Sequence, residues 1–266
     1  MAVRVRPAAV AGAFYPGSPG RLRGMVEELL REAPVPSAPA PKAIIAPHAG
    51  YVYSGPIAAS AFQTVASIAA RIERVVLLGP AHFVPIHGLA LPDANHFETP
   101  LGEVAIDPEG ARESLRLPQV RVQPAAHAQE HSLEVEIPFL QVLLGDRFEI
   151  VPLVVGDASG EEVAEVLERL WGGPETLIVI SSDLSHYLPY EEAREVDGAT
   201  AGQIVALAGP LQSGQACGAR PINGLLVAAR RKGLVPELLD LRNSGDTAGD
   251  RGRVVGYGAF GFREAA

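Results

Sequence analysis

The sequence predicts an α/β fold: a mainly parallel sheet covered by helices on both faces. Three observations carry that prediction. Short apolar runs of strand length alternate with stretches of helical spacing; the runs are almost continuously apolar, as strands buried on both faces are; and turn residues bound them. A chain of 266 residues suits one large α/β domain, and we expect a single domain over 1–266. With 47% hydrophobic and 20% charged residues, the composition is that of an ordinary globular protein.

The elements follow in order. Leu22 to Leu30 has helical spacing after a Gly-Ser-Pro-Gly start, and the segment 33–42, APVPSAPAPK, is a connector that cannot continue the helix. Strands are predicted at Lys42 to Ala46, Val75 to Gly79, Glu149 to Val155, Thr176 to Ile180 and Val254 to Phe262. Helices are predicted at Pro56 to Arg71, Ser132 to Leu144, Gly160 to Leu170, Glu191 to Leu207 and Pro221 to Lys232. In the second of these, Leu133, Ile137, Leu140 and Leu144 form an apolar stripe. The stretch from Gly88 to Ile106 reads as a β-hairpin or an excursion at the sheet edge.

Charge and composition exclude several functions. A net charge of -9 with no basic cluster larger than Arg230-Arg231-Lys232 argues against nucleic-acid binding, which needs a basic face. That triplet suits a helix C-terminus instead. No run reaches the roughly 18 apolar residues of a membrane span, and Pro and Gly interrupt the N-terminal apolar stretch before a signal-peptide core forms. The one cysteine, Cys217, rules out an intrachain disulfide. A cytoplasmic protein is expected.

The chemistry lies where three predicted strands end. Ile44-Ile45-Ala46 runs into Pro47-His48, Val76-Leu77-Leu78-Gly79 into Pro80-Ala81-His82, and Ile178-Val179-Ile180 into Ser181-Ser182-Asp183 and then His186. Ligands of open α/β sheets bind beyond the carboxyl ends of the strands, so these side chains can converge. Neutral imidazole is the commonest protein metal ligand, and rigid strand ends preorganise it, which makes His48 and His82 candidates for a metal site. Cys217 precedes a helix with Pro221 in its first turn. A helix N-terminus lowers a thiol pKa, which would make Cys217 a better thiolate ligand; a small buried hydrophobe is the plainer alternative. His131 also precedes a helix, as an acid/base group or a surface residue.

Other motifs carry less. His127-Ala128-Gln129-Glu130-His131 fits H-x-x-E-H, which would serve a zinc hydrolase if both histidines and the glutamate shared a helix; Pro124 and Ser132 suggest that the helix starts later. Gly256 to Gly261 matches G-x-G-x-x-G, but no helix can follow it to receive a pyrophosphate. Neither a P-loop nor a G-x-S-x-G elbow is present.

The motifs Ala46-Pro47-His48-Ala49-Gly50-Tyr51, Gly79-Pro80-Ala81-His82, Glu130-His131-Ser132, Ser181-Ser182-Asp183 with His186, and Cys217-Gly218 with Pro221-Ile222 resemble, in this order, the Memo family. Its archaeal and bacterial members are named AmmeMemoRadiSam system protein B. The resemblance spans nearly the whole chain, including Gly12-Ala13-Phe14-Tyr15-Pro16. It implies a three-layer α/β/α fold similar to the class III extradiol dioxygenases, which hold non-haem Fe(II) on two histidines and a carboxylate. The matching metal ligands here would be His48, His82 and Cys217, holding iron in the first place, or copper or zinc. His186, His131 and Asp183 would then line the pocket as acid/base or supporting groups. A thiolate in place of the carboxylate argues against copying the ring-cleaving chemistry. Ser185 and Tyr187 stand where animal members carry Cys and Trp, and the Asn243 to Asp246 segment looks microbial.

The leading expectation is a metal-dependent, dioxygenase-like redox protein acting on a small molecule or peptide. The alternatives are a binding module for a peptide or protein that keeps the pocket without turnover, and a zinc hydrolase using His127, Glu130 and His131.

Overall fold

Strand side chains alternate between two faces, and that period of two divides the hydrophobic core into two halves. The computed structural model describes residues 3–35 and 37–265, so Pro36 of the predicted connector lies outside the described residues. In chain order come β1 (Val5–Arg6), α1 (Pro19–Glu32), β2 (Ala43–Ala46), α2 (Tyr51–Gln63), β3 (Arg74–Pro80), β4 (Leu89–Leu91), β5 (His96–Thr99) and β6 (Gly102–Ala105). There follow α3 (Pro108–Ser114), β7 (Val120–Val122), α4 (Pro124–Ala128), α5 (Ile137–Leu144), β8 (Glu149–Val155), α6 (Gly160–Arg169) and β9 (Thr176–Ser181). The chain closes with β10 (His186–Leu188), α7 (Tyr190–Val205), α8 (Ala219–Lys232), β11 (Val235–Asn243) and β12 (Val254–Arg263).

Ile44, Val75, Leu77 and Val179 face one core half together with Leu22 and Val26 of α1, Phe62 of α2 and Phe139 of α5. Their sequence neighbours Ile45, Val76, Leu78 and Ile178 face the other half, built with Val163 and Leu167 of α6 and Leu225 and Leu226 of α8. Each strand is thereby buried on both faces between two helical layers, as an α/β/α arrangement requires.

The sheet runs β10-β12-β2-β9-β3-β8-β4-β7, with β11 also paired to β12. Its centre, β2-β9-β3-β8, is parallel, with Ala46 beside Ser181 and Leu78 beside Ile180. Toward one edge β12 joins β2 antiparallel, and toward the other β4 joins β8 antiparallel, so the sheet is mixed around a parallel core. The predicted hairpin between Gly88 and Ile106 is β5 and β6, which form a small separate sheet with β1. Among the described residues no helix is long and apolar enough to cross a membrane.

Three local differences have clear causes. The helix predicted from Pro56 starts earlier, at Tyr51, and ends at Gln63 before a 3-10 turn over Ala66–Arg71. Pro56 is tolerated inside it because the carbonyl deprived of a partner, that of Val52, belongs to an exposed residue. The helix predicted from Ser132 splits into a 3-10 turn at Glu134–Glu136 and α5, whose first turn holds Pro138. Strand β11 carries Pro236 and several charges, which hid it in the sequence; it is tolerated because, among the described residues, β12 is its only strand partner.

Candidate metal centre

The parallel register decides what meets at the carboxyl edge. β2 and β9 end level and β3 runs one residue further, so His48, Asp183 and His82, each two residues beyond its strand, emerge at the same edge. His48, His82 and His131 offer ring nitrogens that all lie within 4.8 Å of one another. The His48 and His82 rings meet edge-on at 5.2 Å between centroids, and His82 stacks on His131 at 4.7 Å. Cys217, in the loop before α8, brings its Sγ to 3.4 Å from His48 Nε2.

The His82 and His48 rings are each held by the outer nitrogen. The Nδ1–H of His82 donates to Glu130 Oε1 at 2.8 Å, and the same carboxylate accepts the backbone N–H groups of His82, His131 and Ser132 at 2.6–2.9 Å. Burial by itself would raise the Glu130 pKa, but these donors, His82 foremost, hold it down at about 2. A carboxylate behind a histidine fixes the tautomer and leaves Nε2 free, as metal-ligating histidines require. His48 is 1% exposed; its Nδ1 lies 2.7 Å from Ser181 Oγ, and its backbone N–H donates to Asp183 Oδ1 at 2.9 Å. Burial, and then the neighbouring imidazoles, push the His48 pKa well down, and burial lowers that of His131 to about 4. Both rings are neutral near pH 7, the state in which imidazole binds metal.

The other residues singled out in the sequence have definite places. Asp183 is buried at the end of β9, and burial raises its pKa to about 7. His186, on β10, is exposed and donates Nδ1–H to the Leu184 carbonyl at 2.8 Å; it stands outside the group of three but is near enough to lower the His48 pKa. Tyr187, beside it, has φ +62°, a left-handed conformation costly for a bulky residue, and is 62% exposed.

One expectation is corrected, and the reading that the H-x-x-E-H motif does not share one helix holds. Cys217 lies just ahead of α8, but burial pushes its pKa up to about 12, outweighing the hydrogen bonds that favour the thiolate, so without a metal it is a thiol. His127 takes no part in the cluster: α4 ends at Ala128, so H-x-x-E-H does not lie on one helix, and His127 Nε2–H donates instead to the Ala90 carbonyl at 2.9 Å. That removes the structural basis of the zinc-hydrolase alternative.

The N-terminal segment supplies what sequence reasoning missed. Arg6 is buried and pairs with Glu134, itself 0% exposed, while donating to the carbonyls of His127 and Glu130. Glu134 also accepts from the backbone N–H of Ala9 and Val10 at 2.8 and 3.0 Å and from Tyr15 Oη–H. This docking presses the Phe14 ring against His131 at 4.7 Å. No sequence signal marks it: Glu134 and Glu136 read as the polar positions between the apolar Leu133, Ile137 and Leu140 of a helical stripe.

Ordinary metal–imidazole and metal–thiolate bonds of about 2.1 and about 2.3 Å, at a tetrahedral angle, separate N and S by about 3.6 Å. The 3.4 Å between His48 Nε2 and Cys217 Sγ fits that spacing. A cleft of about 310 Å³, lined by Pro80, Ala81, His87, Cys217 and Arg220, opens beside the thiol. A larger cleft of about 610 Å³ lies by Glu73 and Glu149, at the amino ends of β3 and β8, so size does not mark the site.

A family model described as Memo-like protein matches residues 6–260. A MEMO1 family protein of Sulfolobus acidocaldarius is 36% identical, covering 95% of this chain and 97% of its own. Those of Aquifex aeolicus and Archaeoglobus fulgidus are each 38% identical, covering 96% of this chain and 98% of their own. This chain belongs to the Memo family.

Proposed function

We propose that this chain is a metal-dependent redox protein of dioxygenase-like type, with its ion held by His48, His82 and Cys217. The observation that supports it is the convergence of the His48, His82 and His131 ring nitrogens, with His48 and His82 each tied by Nδ1 and the Cys217 thiol 3.4 Å from His48 Nε2. Iron is the ion this reading takes; copper and zinc are the others that two imidazoles and a thiolate accept. Bound there, iron would supply a one-electron redox couple and coordination positions open to a substrate.

The chain's own groups would do the rest. Holding the ion would require Cys217 as a thiolate, with its proton released to solvent, because His48 Nε2, 3.4 Å away, would itself be taken up by the ion. Asp183, with a pKa of about 7, is the buried group nearest to neutrality beside that pair. His186 is exposed and keeps Nε2 free, as a proton carrier between solvent and a bound substrate needs. His131 lies within ligand distance of His48 and His82 and competes with Cys217 for the third position. Substrate, a small molecule or the end of a peptide, would enter by the cleft beside Cys217.

Elemental analysis of protein purified without added metal tests the site. Metal in the wild type and its loss in His48→Ala and Cys217→Ser are expected; full occupancy in both variants removes the site. A second reading, a peptide-binding module without turnover, is favoured by the exposed Tyr53, Phe83 and Tyr187, the last two next to His82 and His186. It predicts no oxygen consumption by the metal-loaded, reduced protein.

A further inference from the structure

Ser181 Oγ has three short contacts: His48 Nδ1 at 2.7 Å, the Ser132 carbonyl at 2.6 Å and Glu136 Oε1 at 2.7 Å. A hydroxyl has one proton to give and two lone pairs to receive. The Ser132 carbonyl can only accept. If Ser181 gave its proton to a Glu136 carboxylate, two bare oxygens would face each other at 2.6 Å; if it gave it to His48, the same clash would remain. One assignment puts a proton on every contact: Ser181 donates to Ser132, and both His48 Nδ1–H and Glu136 donate to Ser181.

We propose that Glu136 is a neutral carboxylic acid and a positioning residue: its proton commits the Ser181 hydroxyl to the Ser132 carbonyl, which holds His48 as the Nδ1–H tautomer with Nε2 bare. The consequence for metal binding rests on the proposed role of His48 as a ligand; the proton pattern itself does not.

Two further observations agree. Glu136 is 0% exposed, its Oε2 has no hydrogen-bond partner, and among the described residues no ion pair includes it. A carboxylate there would leave charge bare in the core, whereas a neutral acid leaves only a carbonyl oxygen without a partner. Burial drives the Glu136 pKa well above the carboxylate range, against a smaller pull from Ser181. No signal in the sequence distinguishes this acid from a solvent-facing glutamate on a helix.

The test uses metal-free full-length protein. Histidine-selective ¹⁵N NMR is expected to show His48 as the Nδ1–H tautomer, and infrared spectroscopy a protonated-carboxyl band at neutral pH that disappears in Glu136→Gln. Glutamine also donates to Ser181, so Glu136→Gln keeps the tautomer and binds ferrous iron within about threefold of the wild type. Glu136→Leu supplies no donor and is expected to bind iron about tenfold more weakly. An Nε2–H tautomer in the wild type, a spectrum without the protonated-carboxyl band, or a glutamine variant as weak as the leucine one overturns the inference. If the leucine variant fails to fold, the two wild-type spectra decide. If the wild type shows both signatures and binds no iron, the metal reading falls and the proton assignment stands.

Discussion

Replacing Glu134 by glutamine strips the charge from a carboxylate that the fold has sealed in. Its four donors are Arg6, the backbone N–H groups of Ala9 and Val10, and the Tyr15 hydroxyl. Arg6 is 5% exposed, so after the substitution its guanidinium stays buried with neutral acceptors only, the glutamine amide oxygen and the carbonyls of His127 and Glu130. Breaking a buried pair by removing one partner costs about 3–5 kcal/mol, because the remaining charge is uncompensated. For a chain of this size that is a fall in melting temperature of about 5–9 °C. Urea unfolding, with an unchanged slope, measures it. In the double variant Arg6→Met, Glu134→Leu the charges leave together, and the expected cost is well below the sum of the two single losses. A loss below about 1 kcal/mol in Glu134→Gln would mean that the pair behaves as a surface pair and that Arg6 does not anchor the Glu130–His131 loop.

Three other outcomes follow. Glu130→Gln weakens the hold on His82 and lowers metal affinity about 10–100-fold by equilibrium titration. Because the Glu130 pKa falls from 4.5 to about 2 on folding, its contribution, about 3 kcal/mol, is complete above pH 4.5 and fades as pH drops through 2; the stability gap between wild type and Glu130→Gln should close over that window in acid unfolding. Burial lowers the Lys42 pKa from 10.5 to about 8, so the folded state sheds this proton first; wild type should gain stability relative to Lys42→Met as pH rises from 8 to 10.5, and a flat difference would contradict it. In Gly218→Ala the new Cβ would sit 2.6 Å from Ser182 Cβ, displacing the Cys217 loop; stability is expected to fall by about 1–3 kcal/mol and bound metal with it.

The parallel core of the sheet could be read because its strands are continuous apolar runs, and the site because His48 and His82 sit where such runs stop. Family resemblance, rather than spacing, pointed to Cys217. Sequence could not give the acids behind the ligands. Glu130, Glu134 and Glu136 look like ordinary glutamates beside a helix, and their burial depends on partners as distant as Arg6 and Ser181. Periodicity reports which face of an element is apolar, not which charge another segment will neutralise. The edge strands β4, β7 and β11 were illegible for a similar reason: they are short or carry polar residues, and pairing with a neighbour decides their conformation.

Metal-edge X-ray absorption on iron-loaded, anaerobic protein addresses the proposed centre directly. The account predicts imidazole nitrogen at about 2.1 Å and one sulfur at about 2.3 Å, with the sulfur lost in Cys217→Ser and nitrogen lost in His48→Ala. A nitrogen and oxygen shell without sulfur, unchanged in Cys217→Ser and depleted in His131→Ala, would contradict it and give the third position to His131.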